Sequence, residues 1–149
     1  MIAASVMTPN PITVRQGSNV RETIATLRQH RLHDLPVVDD KGKPVGMVTA
    51  RAILHAAVPA YVTSNLINVM RGGPDLPSVY EHLRRIADRD VSEIMDDEPS
   101  LVSCHTATTA VAAILVNKST DSNNVLVVDE DGLLVGIISA LDIVSHTKT

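Results

Sequence analysis

Ser139 and Asp142 stand three residues apart in GIISALDIV (136–144), where an apolar run gives way to a helical pattern. That spacing supports two kinds of chemistry. In one, hydroxyl and carboxylate cap the start of a helix, and the acid is also favoured by the positive end of the helix dipole. In the other, the carboxylate accepts two hydrogen bonds from a ribose cis-diol, while the unpaired N–H groups of the helix start hold an anion or a hydroxyl-rich ligand. An earlier stretch, GMVTARAIL (46–54), repeats the element with Thr49 in place of Ser139 but with Ala52 in place of Asp142. A duplicated element thus keeps its acid in one copy only.

The remaining reactive residues read as structural. His30 and His33 are three apart, but no Cys or second His pair completes a tetrahedral zinc set, so they are solvated helix-end histidines and no metal is expected. Asp39-Asp40 and Asp129-Glu130-Asp131 lack the ligand ladder of a calcium loop and fall where hairpin turns favour Asp and Gly. The single Cys104 reads as a small, partly buried hydrophobe; it excludes an intramolecular disulfide and fits a reducing cytosol. Ser139, Cys104 and the histidines do not supply a nucleophile with a base and an orienting group. No catalysis by this chain is expected.

The elements that must position Ser139 and Asp142 come in two sets. MTPNPITV, SNVRETIATLRQH and LPVVDDKGKPVGMVTARAIL are followed by MDDEPSLV, TATTAVAAILVNK and VLVVDEDGLLVGIISALDIV. Met7 and Met95 are offset by 88 residues and Gly46 and Gly136 by 90, so the second copy has two extra residues between its first helix and the next strand. In each copy a β-branched run (12–14 and 101–102) reads as a first strand. Val20, Ile24 and Leu27 fall at i, i+4 and i+7 behind Ser18 as N-cap, which predicts a helix over 20–29; Val111, Ile114 and Leu115 repeat that face behind Thr106. Two apolar runs split by an Asp/Gly-rich turn then predict a hairpin, with a second helix from Ala50 and from Ala140. The unit is β-α-β-β-α, an α/β (α+β) arrangement in which neither copy alone covers both faces of its sheet.

Residues 55–92 have no counterpart and read as a helical connector between a first repeat at 1–54 and a second at 93–149. Pro59 permits a helix with Val62, Leu66, Val69 and Met70 on one stripe, broken at Gly72-Gly73-Pro74. Ser78-x-x-Glu81 then reads as a capping box opening a helix with Val79, Leu83 and Ile86 inward, to cover the paired repeats or a dimer seam.

Composition narrows the function. With 149 residues the chain can bury a sizeable core, built from aliphatic residues because it has two Tyr and neither Phe nor Trp. A net charge of −4 opposes phosphate-neutralising nucleic-acid binding, and the scarcity of aromatics removes the stacking platforms of single-strand binders. No apolar run reaches the roughly 18 residues of a membrane span, and Met1 opens no signal-peptide pattern, so a cytoplasmic protein, complete as written, is expected.

The repeated pattern, from the first strand through LPVVDDKGKPVGMVTARAIL and VLVVDEDGLLVGIISALDIV, resembles the cystathionine β-synthase (CBS) domain, and two copies resemble a CBS pair, or Bateman module. The resemblance covers about residues 5–54 and 93–144. It implies two repeats packed about a pseudo-twofold axis, with two related clefts that hold adenosine-containing ligands such as AMP, ADP, ATP or S-adenosylmethionine. The family's signature Ser/Thr and Asp fall on Ser139 and Asp142. The partner repeat would contribute Pro11, Ile12 and Thr13 beside the base and Leu32, His33 and Asp34 beside sugar or phosphate, with Ile12 and Leu32 as apolar walls and His33 nearest the polar part of the ligand. The second cleft would combine Thr49, Arg51 and Ala52 with residues 100–102 and 122–124, Ser100, Val102, Asn123 and Asn124 foremost; it is weakened because Ala52 offers nothing to a diol, although Arg51 could bind phosphate. The resemblance implies a regulatory sensor acting as a homodimer and read by another protein, with no nucleic-acid or membrane partner. The alternatives are a structural or dimerisation module with vestigial clefts, or a module that binds S-adenosylmethionine.

Overall fold

The computed structural model describes residues 1–58, 76–117 and 122–146. In chain order these form α1 (Ala3–Val6), β1 (Thr8–Pro9), β2 (Val14–Arg15), α2 (Val20–His30), β3 (Asp34–Val38), β4 (Pro44–Thr49), α3 (Ala50–Ala57) and α4 (Leu76–Ile86). A 3-10 turn at Val91–Glu93 follows, then β5 (Leu101–Ser103), α5 (Thr108–Asn117), β6 (Asn124–Val128), β7 (Leu134–Ser139) and α6 (Ala140–Val144).

The two sheets repeat one topology. β2 runs parallel to β3 across the α2 crossover, and β3 pairs antiparallel with β4; β5, β6 and β7 reproduce this. Each hairpin turn is built by its aspartate. Asp39 Oδ1 accepts from the N–H groups of Lys41 and Lys43, both at 2.9 Å, and Asp129 Oδ1 accepts from those of Asp131 (2.9 Å) and Leu133 (3.0 Å). The Lys43 N–H is the main cause holding the Asp39 carboxyl below the usual carboxylate range. Gly42 and Gly132, at φ 91° and 82°, supply the left-handed residue each turn needs. The turns also meet: Leu134 N–H donates to Gly42 C=O at 3.0 Å.

Several local expectations shift. The first strand begins at Val14, the first residue in register with β3 (Val14 opposite Val37); the residues before it leave the sheet in a loop through Asn10, at φ 51°. Asn19, not Ser18, caps α2, accepting from Glu22 N–H at 2.9 Å, because the Ser18 backbone is used by Arg15 and Val91. Thr106 closes a turn by accepting from Ser103 N–H at 3.1 Å, and α5 starts two residues later. α4 opens at Leu76 rather than at Ser78, since Pro77 is tolerated in a first turn whose N–H groups lack intrahelical partners. Along α4, Val79 and Leu83 are half-buried and Ile86 is buried, the stripe the sequence implies. The earlier connector helix, with Val62, Leu66, Val69, Met70 and the Gly72-Gly73-Pro74 break, lies outside the described residues.

One feature was not visible in the sequence: the segments leading into the two repeats are exchanged. β1 pairs with β7, so residues 8 and 9 extend the second sheet, not the first. In the matching position, Met47 and Asp96 exchange two backbone hydrogen bonds of 2.9 Å, laying the second lead segment on the first sheet. Met7 packs against Gly136 and Met95 against Gly46, each where any Cβ would collide with the methionine. The cores follow suit. Ile86 and Val91 are buried with Val14, Val20, Leu35 and Val48, whereas Ala3 and Val6 are buried with Val111, Val125, Val127 and Ile138.

A candidate ligand-binding cleft

β7 delivers Ser139 to the start of α6, and the serine caps it: Asp142 N–H donates to Ser139 Oγ at 3.2 Å. The reciprocal bond is present too. Asp142 Oδ2 accepts from Ser139 N–H at 2.8 Å and from Ser139 Oγ at 3.1 Å. The capping box is therefore real, and it uses one carboxylate oxygen. Among the described residues Oδ1 has no partner, and it remains free to accept from a ligand. The capping role of the Ser-x-x-Asp pair thus leaves one carboxylate oxygen unengaged among the described residues.

Asp142 borders a cavity of about 300 Å³. Of the residues anticipated from sequence, Pro11, Ile12, Leu32, Asp34, Ser139 and Asp142 line it together. Ile12 and Leu32, 39% and 36% exposed, form apolar walls from the first repeat, and Pro36 and Ile137 add to them. Thr8, Asn10 and Asn124 complete the lining. Alternation along the strands could have found Pro36 and Ile137, which lie two residues from Asp34 and Ser139 on the same faces.

Two anticipated positions fall elsewhere. His33 precedes β3 on the opposite face from Asp34 and lines a separate, largely apolar cavity of about 550 Å³ with Ile24, Leu27 and Leu54. The polar group that this segment contributes to the cavity lining is Asp34 instead. Thr13, half-buried before β2, is not among the lining residues. Asp34 is held firmly: Asn124 Nδ2 donates to its two oxygens at 2.7 and 2.8 Å, and Ser122 Oγ donates to Oδ2 at 2.8 Å. Asp34 and Asn124 open corresponding strands, so this contact joins the repeats at equivalent positions.

The positions assigned to the second cleft are dispersed. Thr49 caps α3, accepting from Ala52 N–H at 2.9 Å. Arg51 and Ala52 line a cavity of about 440 Å³ with His55, Arg89 and Glu93, where Arg89 and Glu93 form an ion pair at 3.3 Å. Asn124 lines the first cleft, and Val102 belongs to the second core, because strand alternation turns Leu101 outward and Val102 in. Ser100 C=O accepts from Leu126 N–H at 2.9 Å, and Asn123 is exposed. Because Thr49 is already in capping position, Ala52→Asp is expected to complete the box and raise stability by about 0.3–1 kcal/mol, read as an upward shift of the thermal midpoint. An unchanged or lower midpoint would show that the Thr49 helix start cannot accommodate the reciprocal bond.

Comparison with known proteins places this geometry among relatives. The family described as CBS domain matches residues 3–59 and 91–148. The chain is 33% identical over 57 residues to the CBS domain-containing protein CBSX2, chloroplastic, of Arabidopsis thaliana, which is 38% of this chain and 24% of that protein. It is 31% identical over 140 residues to homoserine O-acetyltransferase of Methanococcoides burtonii, covering 94% of this chain and 23% of that enzyme. The chain thus spans about a quarter of the length of these curated relatives. Among solved structures, CBSX2 superposes with a TM-score of 0.78 at 22% identity, covering 97% of this chain and 92% of that one. CBSX2 in complex with AMP gives 0.69 at 23% identity, covering 97% and 93%.

Proposed function

Because this chain belongs to the CBS domain family and carries two copies of the domain, we propose that it is a regulatory module binding an adenosine-containing ligand of the AMP, ADP or ATP type between its repeats, without catalysis of its own. One observation carries the reading. Six residues from two distant stretches, Pro11, Ile12, Leu32 and Asp34 from one and Ser139 and Asp142 from the other, converge on a single cavity whose carboxylate keeps an acceptor oxygen free. That CBSX2, of the same fold, was solved with AMP supports the ligand class.

A cleft walled by both repeats couples occupancy to their relative placement, and a partner that prefers one placement reads the ligand. We assign that role to a homodimer of this chain and an unidentified regulated protein in the cytosol. Among the described residues no helix is long and apolar enough to cross a membrane. Ala52 supports the second reading, a structural or dimerisation module whose clefts are vestigial. Calorimetric titration with AMP, ADP, ATP and S-adenosylmethionine separates the two: at least one should bind more tightly than about 1 mM, or about −4 kcal/mol. If none does, the sensor reading is wrong.

A further inference from the structure

Resting on the reading of the cleft as an adenosine site, we infer that Asp34 sets its specificity against phosphate, so that affinity falls with every phosphate the ligand carries. The described residues lining the cavity include two carboxylates, Asp34 and Asp142, and no Lys, Arg or His. The Asp34 charge is held in place but not cancelled, since Asn124 and Ser122 are neutral donors and neither acid has an ion-pair partner among the described residues. Of the basic groups that precede Asp34 on the same segment, Arg28, Arg31 and His33 line the neighbouring cavity on the far side of Leu32. At the matching positions of the other repeat stand Asn124 and Ala52, so both acids belong to the copy-specific character of this cleft.

A terminal phosphate placed in a 300 Å³ cavity lies within a few ångströms of such a charge and well inside the Debye length. Each added phosphate charge should therefore weaken binding about fivefold. The favoured ligands are a neutral adenosine or a sulfonium-bearing adenosine such as S-adenosylmethionine; AMP, ADP and ATP follow in that order.

The test is calorimetry of the full chain with adenosine, S-adenosylmethionine, AMP, ADP and ATP at low and high salt, repeated with Asp34→Asn. Asn keeps an acceptor for Ser122. In this variant the affinity for AMP relative to adenosine should rise about fivefold, and in the native chain the spread among ligands should narrow at high salt. Affinities that are equal or rise with phosphate number in the native chain would overturn the inference while leaving the adenosine site standing. So would an Asp34→Asn variant that weakens every ligand alike, since that marks Asp34 as a structural brace. Should Asp34→Asn fail to fold, the native salt series decides, and a spread insensitive to salt refutes the inference. If no ligand binds at all, the adenosine site itself is refuted.

Discussion

Asp142→Asn is expected to bind adenosine more than tenfold more weakly than the native chain while losing only the helix-dipole contribution to stability, about 0.3–1 kcal/mol. The two roles of Asp142 use different oxygens. Oδ2 closes the capping box with Ser139, and Oδ1 has no partner among the described residues. Asparagine can turn its one oxygen to Ser139 N–H and preserve the cap, but it then presents an NH₂ donor to a diol whose hydroxyls need an acceptor. The lost charge-assisted hydrogen bond is worth about 1.5–3 kcal/mol, or more than a factor of ten in affinity. Adenosine is the proper ligand for this comparison, because removing a negative charge also changes how the cleft treats phosphate. Asp142→Ala should lose both functions, adding about 1 kcal/mol of destabilisation to the same affinity loss. Native affinity in Asp142→Asn would reduce Asp142 to a capping residue.

The second large effect concerns stability. Gly46→Ala should destabilise the fold by about 1–3 kcal/mol, as overpacking does, and by more than Gly136→Ala. A Cβ on Gly46 would meet the Met95 thioether and also the backbone oxygen of Asp96 at 2.8 Å. That oxygen cannot retreat without breaking the paired Met47–Asp96 hydrogen bonds. The three atoms that a Cβ on Gly136 meets first all belong to the Met7 side chain, with Cγ at 2.8 Å and Cβ at 3.0 Å, and a flexible methionine can partly yield. Denaturant unfolding of both variants gives the order. A Gly136→Ala cost equal to or above that of Gly46→Ala would mean that the backbone contact is unimportant.

Much of this was readable in the residues. The hairpins were legible because Asp39 with Gly42 and Asp129 with Gly132 are local turn chemistry, complete within five residues. The Ser139 cap and the pairing of Ile12 and Leu32 with Asp142 followed from the duplication and from the family likeness. The choice between His33 and Asp34 depended on which residue the β3 pleat turns toward the cleft, a matter of register that neighbouring apolar positions do not reveal. Val102 was misplaced for the same reason. The capping of α2 by Asn19 rather than Ser18 depended on a distant contact, since Ser18 C=O accepts from Val91 N–H. α1 and β1 are too short to leave a periodic signal, and the core that buries α1 and the strand that pairs with β1 lie in the other repeat.

The exchanged lead segments also impose an order in time. Thr8 pairs with Ile137, so β1 waits 129 residues of synthesis for its partner, whereas β3 and β4 are separated by a five-residue turn. Long-range pairings of this kind close late, after local hairpins and helices have formed. The first repeat's hairpin can emerge and pair at once, but β1 remains without its sheet until β7 has left the ribosome. The repeats are therefore sewn together by the last strand rather than finished one after the other.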